Sequence, residues 1–458
     1  MATIWSTIIK RFKAPSLPKP DTQYDRAYFD NLVNILRLYF NQLDNLLEQI
    51  VATTSGAVPV SIGGTNVDAF GRIRVSQPYT LFDSQSRYEA DPQFDTTTSG
   101  TGSATYASNE AAVNMAVTAG GVGSVVKQTY RVFPYQPGKG LLVLATFVMD
   151  SSLNAGLTQR VGYYNTDNGV FFQKVDGVYS FVLRSNSIPT PGTPSDVRTV
   201  NQSSWNGDKL DGTGDSGYTL DPSKAQILWM DFEWLGVGSV RCGFIIDGQY
   251  IVCHTFENAN NITTVYMSTA TLPVRYEIVS SVAVAGTLKQ ICSSVVSEGG
   301  YEQYSFGNVA RRTAVLGTIG STFLPLVSIR LKSTRLGAVV LPQRVQVLPT
   351  TSQNYEVALV KNPTLTGASW VATTSNNVEM DVTATAVSGG TIVQTDYVTS
   401  SGSGGTNPLA DPAGYNWDLQ LGSSLAGTSD IYTIQIRTVS GATTGDAVGS
   451  LTFWDLTG

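Results

Sequence analysis

Two carboxylates stand two positions apart in the stretch WMDFEWLG, where Asp231 and Glu233 lie between Trp229 and Trp234. Alternate residues of a β-strand face the same side, so both carboxylates and Trp229 would share one face, with Trp234 on the other. Paired carboxylates beside an aromatic ring suit a retaining glycosidase, which needs one carboxyl group as nucleophile and one as acid. This stretch is the first candidate for chemistry.

The same pair also has plainer interpretations. β-Sandwich glycosidases of this kind carry an E-x-D-x-x-E run, but this chain has only D-x-E, and the third position falls on Gly236. We therefore expect that the protein is not an enzyme. We expect the carboxylates to form an ordinary structural pair bonded to an arginine, because buried polar groups are paired. The candidate arginines are Arg184, Arg241 and Arg275. A sheet face that contacts carbohydrate is the alternative, with stacking residues Trp205, Trp229 and Trp234.

A glycine-rich acidic loop, NGDKLDGTGDSG (206–217), holds Asp208, Asp211 and Asp215. Carboxylates in such a loop can bind calcium, a cation that needs six or more oxygen ligands. The spacing is not that of an EF-hand, and no glutamate follows at the position that would complete one. Aspartate also forms turns by accepting backbone hydrogen bonds, and we expect that role here. The sequence therefore predicts no metal and no cofactor.

The remaining reactive side chains form no recognisable site. His254 is the sole histidine and has no nucleophile elbow to serve, so we expect a satisfied core or edge residue. Three cysteines, an odd count without zinc spacing, argue against a disulfide framework and for folding in a reducing compartment. They are Cys242, Cys253 and Cys292. Arg311 and Arg312 are expected at a domain junction.

Composition narrows the class of protein. Of 458 residues only 14% are charged, while 44 are glycine, and the net charge of −6 is spread along the chain. This composition is typical of β-sandwiches at virion or extracellular surfaces, and it predicts no nucleic-acid partner. No apolar run approaches the roughly 20 residues of a membrane span, and the N-terminus lacks a signal-peptide pattern. We therefore expect synthesis in the cytoplasm.

From about Val67 onward the hydrophobic period is two, which is typical of β-strands. The pairs Asn168-Gly169, Asp176-Gly177 and Asp247-Gly248 each separate aromatic or β-branched runs, the pattern of tight hairpins. Long strands joined by such turns predict a two-sheet sandwich of jelly-roll type.

Two β-sandwich domains are expected after the N-terminal segment. The jelly-roll domain is assigned to residues 67–300, and shorter strands predict a second sandwich over 305–458. A serine- and glycine-rich surface loop is expected at 400–414. The predicted fold class is mainly β, with a coiled-coil-like N-terminal helix before the two sandwiches.

That helix is predicted over residues 21–52 and has a heptad period. Every position of its seam is apolar, and a lone helix cannot shelter such a stripe. Two partners stay open: the β domain of the same chain, or copies of the helix from other chains. The seam residues are Phe29, Leu32, Leu36, Tyr39, Leu43, Leu46 and Ile50.

Two further segments flank the helix. Residues 1–20 form a basic arm, interpreted as a disordered tail, a docking peg for another protein or a membrane-surface segment. Residues 53–66 are small, polar and glycine-containing, which predicts a linker that lets the helix stand apart as a stalk.

Long strings in the chain resemble a region of structural proteins from tailed phages and some large DNA viruses. The resemblance covers roughly residues 66–280, with DAFGRIRVSQPYTLFDSQ at its start and NGVFFQKVDGVYSFVLRS within it. The helical stretch YFDNLVNILRLYFNQLDNLL is also similar to the N-terminal segment of several phage virion proteins. Residues 305–458 lie outside the resemblance.

The resemblance implies a virion structural protein, as a head fibre or decoration, a collar part or a tail-associated part. The expected partners are copies of the same chain, most simply in a trimer, and other virion proteins such as capsid, portal or tail. The alternative is a tail-associated receptor-binding protein that recognises host surface glycans. In both cases the expected location is the virion.

Overall fold

The computed structural model describes residues 26, 29–40, 67–301, 307–399, 405–408, 417–439 and 444–457. The chain divides into two compact units, Met1–Gly63 and Gly64–Gly458. Within the described part of the chain, no helix combines the length and the apolar composition that crossing a membrane requires. The predicted arm and linker lie outside the described residues.

Residues 29–40 form helix α1, which carries four of the seven predicted seam residues. Leu32, Leu36 and Tyr39 are half-buried, and Phe29 is 46% exposed. The other seam residues, Leu43, Leu46 and Ile50, lie outside the described residues.

Four apolar side chains of α1, two of them seam residues, form a stripe along one face of the helix. Phe29, Val33, Leu36 and Phe40 follow each other at intervals of four, three and four residues, which places them on one helix face. Val33 is 59% exposed and Phe40 is 57% exposed, so these two side chains of the face are open to solvent. We call these four residues the α1 stripe.

The first part of the unit Gly64–Gly458 consists of fifteen strands. They are β1 (Pro78–Gln85), β2 (Phe94–Gly100), β3 (Ser103–Ala107), β4 (Ala112–Val117), β5 (Gly123–Thr129), β6 (Leu141–Met149), β7 (Leu157–Tyr164), β8 (Gly169–Val175), β9 (Val178–Ser185), β10 (Ser195–Asn201), β11 (Gln226–Phe232), β12 (Val240–Ile246), β13 (Gln249–Phe256), β14 (Val274–Ser280) and β15 (Gly286–Glu298).

Twelve more strands follow in the described residues. They are β16 (Gly307–Ile319), β17 (Leu324–Leu331), β18 (Val340–Pro349), β19 (Tyr355–Lys361), β20 (Thr364–Thr366), β21 (Val371–Ala372), β22 (Val378–Asp381), β23 (Ala386–Ser388), β24 (Thr391–Val398), β25 (Gly405–Pro408), β26 (Ile431–Thr438) and β27 (Gly445–Asp455).

The first fifteen strands form two antiparallel sheets. One has eight strands in the order β13-β12-β11-β6-β15-β4-β3, with β1 pairing β15 as well, and the other has seven in the order β10-β9-β8-β7-β14-β5-β2. Their inner faces meet through aromatic rings: Phe172 of β8 lies 5.9 Å from Phe147 of β6 and 5.2 Å from Phe244 of β12. The prediction of a mainly β protein with sandwiched sheets is confirmed.

The later strands form a second group of sheets with its own hydrophobic core. The sheets have the orders β16-β27-β18-β25, β21-β22-β17-β26-β19-β24 and β20-β23. Apolar residues such as Ile329, Ile434 and Phe453 fill this core. Strand β25 pairs with Arg344–Val347 inside the stretch predicted as a loop at 400–414, because its backbone completes the edge of the β18 ladder.

Two of the predicted hairpin turns have the backbone that their residues favour. Asp176-Gly177 joins β8 to β9 and Asp247-Gly248 joins β12 to β13, with positive φ at all four residues. The pattern of a type I′ turn is thereby confirmed. The third turn lies earlier than predicted: residues 165–168 form it, Asn165 donates its amide to the backbone oxygen of Asn168, and Gly169 already begins β8.

A polar and aromatic junction joins the second group of sheets to the first core. Trp417 is 8% exposed and packs into that core, and its indole Nε1 donates to the hydroxyl of Tyr79 over 2.9 Å. The buried guanidinium of Arg131 donates to the backbone oxygen of Trp417, and the amide of Gln420 donates to Val132 over 2.9 Å. The expected junction residues Arg311 and Arg312 lie elsewhere, in β16, where Arg312 bonds Ala314 and Val382.

Candidate functional site

Strand β11 places the predicted carboxylate pair on the outer face of the eight-stranded sheet. Its residues Leu228, Met230 and Phe232 enter the core, so Trp229 and Asp231 face outward. Residues 67–76 cover this face. The hydroxyl of Ser239 donates to Ala69 over 2.8 Å and Arg241 donates to Val67 over 2.7 Å, which fixes the covering segment to the sheet.

Asp231 lies between two guanidinium groups. Its side chain is 1% exposed; Arg74 Nη2 is 2.6 Å from Oδ1, and Arg241 bonds Oδ2 through both Nε and Nη2. Of the three arginines expected from the sequence, Arg241 is therefore the partner. The other two are paired elsewhere, Arg184 with Asp196 and Arg275 with Glu277, because they lie on the seven-stranded sheet.

Glu233 forms a second cluster with Asp68 and Arg72 of the covering segment. Arg72 bonds both carboxylates, and Asp68 also accepts the amides of Phe70 and Arg72 over 2.9 and 2.8 Å. Glu233 Oε2 is buried and accepts no hydrogen bond from the described donors. Carboxylate oxygens of Asp68, Glu233 and Glu298 lie within 4.8 Å of one another, and Arg72 supplies the opposing charge.

Burial raises the pKa of Glu233 to about 7, and sharing a proton with Asp68 contributes in the same direction. Burial alone would raise the pKa of Asp68 too, but hydrogen bonds with Glu233, with Arg72 and with the Phe70 amide hold it below its ordinary value. The two carboxyl groups therefore act as a pair in which Glu233 keeps the proton.

We expect the contribution of the Glu233–Asp68 pair to the free energy of unfolding to fall as the pH rises. Because the folded pKa of Glu233 exceeds that of an unfolded glutamate, ~4.3, its contribution is complete below that pH and is lost as the pH rises through 7. We expect Glu233→Gln, which stays neutral, to gain stability relative to the wild type between pH 5 and pH 8. The measurement is the difference between their urea midpoints at the two pH values.

Because His254 also titrates, the stability difference between Glu233→Gln and the wild type is more informative than the pH dependence of wild-type stability alone. Burial and Arg198 lower the pKa of His254 to about 4, so its contribution is lost as the pH falls from its unfolded value, ~6.5. The two contributions oppose each other over the same pH range, and only the Glu233→Gln comparison separates them. A difference that does not change with pH contradicts the assignment.

The enclosure of the carboxylate pair bears on the hydrolase hypothesis. The side chains of Asp231 and Glu233 are each 1% exposed beneath residues 67–76, and arginines bond both carboxylates. A retaining glycosidase needs both carboxyl groups facing its substrate. The arrangement instead holds the covering segment to the sheet.

The structure contradicts the predicted glycan contact for two of the three tryptophans. Trp205 is 2% exposed, stacks 4.7 Å from Phe181 and donates its indole N–H to Val200. Trp229 is fully buried and donates to Ile251 over 3.2 Å. Both rings are buried by packing, so neither can stack on a sugar. Trp234 is partly buried and packs against the first core, but it is less enclosed than the other two.

Trp234 lines a cleft of about 750 Å³ between the two groups of sheets. Its ring meets Tyr135 edge to face, with centroids 6.0 Å apart. Hydroxyl and amide side chains make up most of the remaining lining, from loops of both groups. They include Gln136, Ser268, Thr271, Asn308, Thr374, Ser375, Asn376, Asn377 and Thr457.

The aspartates of the loop 206–217 bond that loop's own backbone. Asp208 accepts the amides of Leu210 and Ser216, each over 2.8 Å, and Asp211 accepts the amide and hydroxyl of Thr213. Asp215 is exposed. The bonds of Asp208 and Asp211 are those of turn-forming residues, the role that the sequence favoured.

The histidine and the cysteines are packed side chains. His254 is 7% exposed, lies edge to face on Phe256 at 4.6 Å and accepts the Asn206 amide over 3.4 Å. The three cysteines are free thiols, and burial raises the pKa of Cys242 and Cys253, so both stay protonated.

The seven-stranded sheet carries an aromatic pair covered by arginines that the sequence did not predict. The fully buried rings of Tyr164 and Phe171 lie 4.4 Å apart, in space left by Gly162 and Gly169. The guanidiniums of Arg160, Arg184 and Arg275 cover the two rings. Glu277 accepts hydrogen bonds from Tyr164, Arg160 and Arg275 and so connects the rings to their cover. The alternation of glycine and aromatic residues in GYYNTDNGVFF was the available signal.

Comparison with known proteins gives similarity of structure alone. No family model matches the chain, and no curated protein matches its sequence. Solved structures that are similar include the endo-β-1,4-glucuronan lyase of the fungus Trichoderma reesei, at 12% identity and TM-score 0.33, covering 47% of this chain and 95% of the lyase. The Emp47p carbohydrate recognition domain is 8% identical with TM-score 0.31, covering 49% and 98%. Similarity at this level carries no conclusion about function.

Proposed function

We propose that this chain is an oligomeric structural protein of a bacteriophage particle, anchored through its N-terminal segment and displaying its β-sandwiches. The observation that carries the proposal is the α1 stripe, in which Phe29, Val33 and Phe40 are each about half exposed or more. Water disfavours such a stripe on a short helix, so another surface must cover it.

Copies of the same chain are the simplest cover for the stripe. The heptad period of the predicted seam is the period with which identical helices pack against each other, knobs into holes. Leucine and isoleucine at most seam positions favour a trimer. The resemblance of residues 66–280 to virion proteins supports attachment to a particle as a head fibre, decoration or collar part.

The construction of the unit Gly64–Gly458 supports a passive role. Its most conspicuous carboxylate pair binds arginines of the covering segment, and its histidine and two of its thiols are buried. A body that presents few reactive groups suits a displayed part of a particle.

Purified particles of the phage that encodes the chain test the proposal. We expect the chain to copurify with particles on a density gradient, in a fixed copy number that quantitative mass spectrometry gives as a multiple of the oligomer. An antibody against the unit Gly64–Gly458 should label one location, at the head, collar or tail. A chain confined to the soluble fraction of the infected cells contradicts a virion role.

A tail-associated protein that recognises host surface glycans is the second candidate. The observation that favours it is the partly buried ring of Trp234, which lines a cleft rich in hydroxyl and amide groups. Such groups bind sugar hydroxyls, and an aromatic ring binds the apolar face of a sugar.

A further inference from the structure

We infer that the cleft beside Trp234 is a binding site for an uncharged oligosaccharide, an inference that rests on the second candidate function. The volume of about 750 Å³ lies within the range of small-ligand sites, roughly 300–1,000 Å³. Loops from both groups of sheets line the cleft, so a bound ligand would contact both.

The lining is chemically suited to a neutral ligand. Among the described residues that line the cleft, none is lysine, arginine or histidine, and Asp455 is the one acid. A uronate, sialylated or phosphorylated sugar would find no cation in this lining to pair with its charge. Ring carbons and hydroxyls, by contrast, match the aromatic and polar groups that are present.

Asp455 is held in place by neighbours on the same wall. Asn377 Nδ2 donates to its two carboxylate oxygens over 3.1 and 2.9 Å, and the hydroxyl of Ser375 donates to Oδ2 over 2.5 Å. Thr457 donates to Oδ1 through its amide and its hydroxyl. These bonds fix the wall before a ligand arrives, which reduces the entropic cost of binding.

The indole Nε1 of Trp234 is buried, yet it donates to no acceptor among the described residues. Because this nitrogen has almost no exposed surface, a sugar in the cleft would pack on the indole ring and would not bond its N–H.

A glycan array tests this inference with the intact chain. The array carries neutral oligosaccharides of glucose, galactose, mannose and N-acetylhexosamines, together with sialylated, uronate-containing and phosphorylated ones. We expect saturable binding to neutral members. We expect Trp234→Ala to weaken that binding at least about tenfold, as removal of a central aromatic contact does.

Two further variants separate loss of the site from loss of the fold. Asn376→Trp changes an exposed side chain of the lining and fills the cleft, so it should abolish binding without disturbing a core. Trp370→Ala removes a tryptophan that stacks on Arg330 outside the cleft and should bind as the wild type does.

Each outcome has a distinct meaning. Binding of charged glycans alone overturns the neutral site but leaves glycan recognition standing, and no binding overturns both. Neutral binding that survives Asn376→Trp places the ligand elsewhere and overturns the inference. None of these results alters the proposed virion role, which the particle experiment tests separately.

Discussion

Replacing Arg241 with methionine is expected to lower the free energy of unfolding by about 3 kcal/mol, near the lower end of the range for breaking a buried ion pair. Asp231 is 1% exposed and would lose the guanidinium that bonds it through two nitrogens. Arg74 would still contact it, which limits the loss. The bond from Arg241 to Val67 would also be lost, so residues 67–76 should exchange amide hydrogens faster.

Two controls accompany this prediction: one breaks an exposed ion pair, and the other replaces both members of the buried pair with apolar residues. Lys224→Met removes an exposed pair with Asp221, at 3.6 Å, and should change stability by no more than about 1 kcal/mol. The double variant Asp231→Leu/Arg241→Met should recover part of the loss, because it removes the uncompensated charge as well. Urea denaturation gives all three values. Equal effects of Arg241→Met and Lys224→Met contradict a structural role for the buried network.

The sequence predicted the sheets better than it predicted what covers them. Period-two runs and Asp-Gly turns identify strands such as β8, β9, β12 and β13, because turn residues and alternation are local properties. The sheet order depends on contacts between distant residues, such as β15 with β1. The junction at Trp417 was missed for the same reason, since nothing near position 417 in the sequence indicates Tyr79 or Arg131 as its partners.

The carboxylate pair shows how far a motif can be interpreted from sequence alone. Alternation on a strand correctly placed Asp231 and Trp229 on one face, and Arg241 was among the expected partners. Burial was not foreseen, because it comes from Arg72 and Arg74, more than 150 positions away in the chain. The same limit applies to Trp205 and Trp229, the predicted sugar-stacking residues: the sequence identifies the ring, but packing with distant residues decides its exposure.

The second large effect concerns the α1 stripe. Val33→Glu would place a charge on a face that must be covered by apolar side chains, so we expect the oligomer to dissociate into monomers. Asn34→Glu is the matched control, because Asn34 is also exposed, is adjacent in the chain and lies about 100° around the helix from Val33. Both substitutions introduce the same residue into the same helix, so a general effect on helix stability would appear in both.

The solution mass of the intact chain, measured by sedimentation equilibrium for wild type, Val33→Glu and Asn34→Glu, is the most direct test of the assembly role. We expect a multiple of the 49.0 kDa monomer, three by preference, for the wild type and Asn34→Glu, and a monomer for Val33→Glu. A monomeric wild type, or an oligomer that survives Val33→Glu unchanged, contradicts the assembly role.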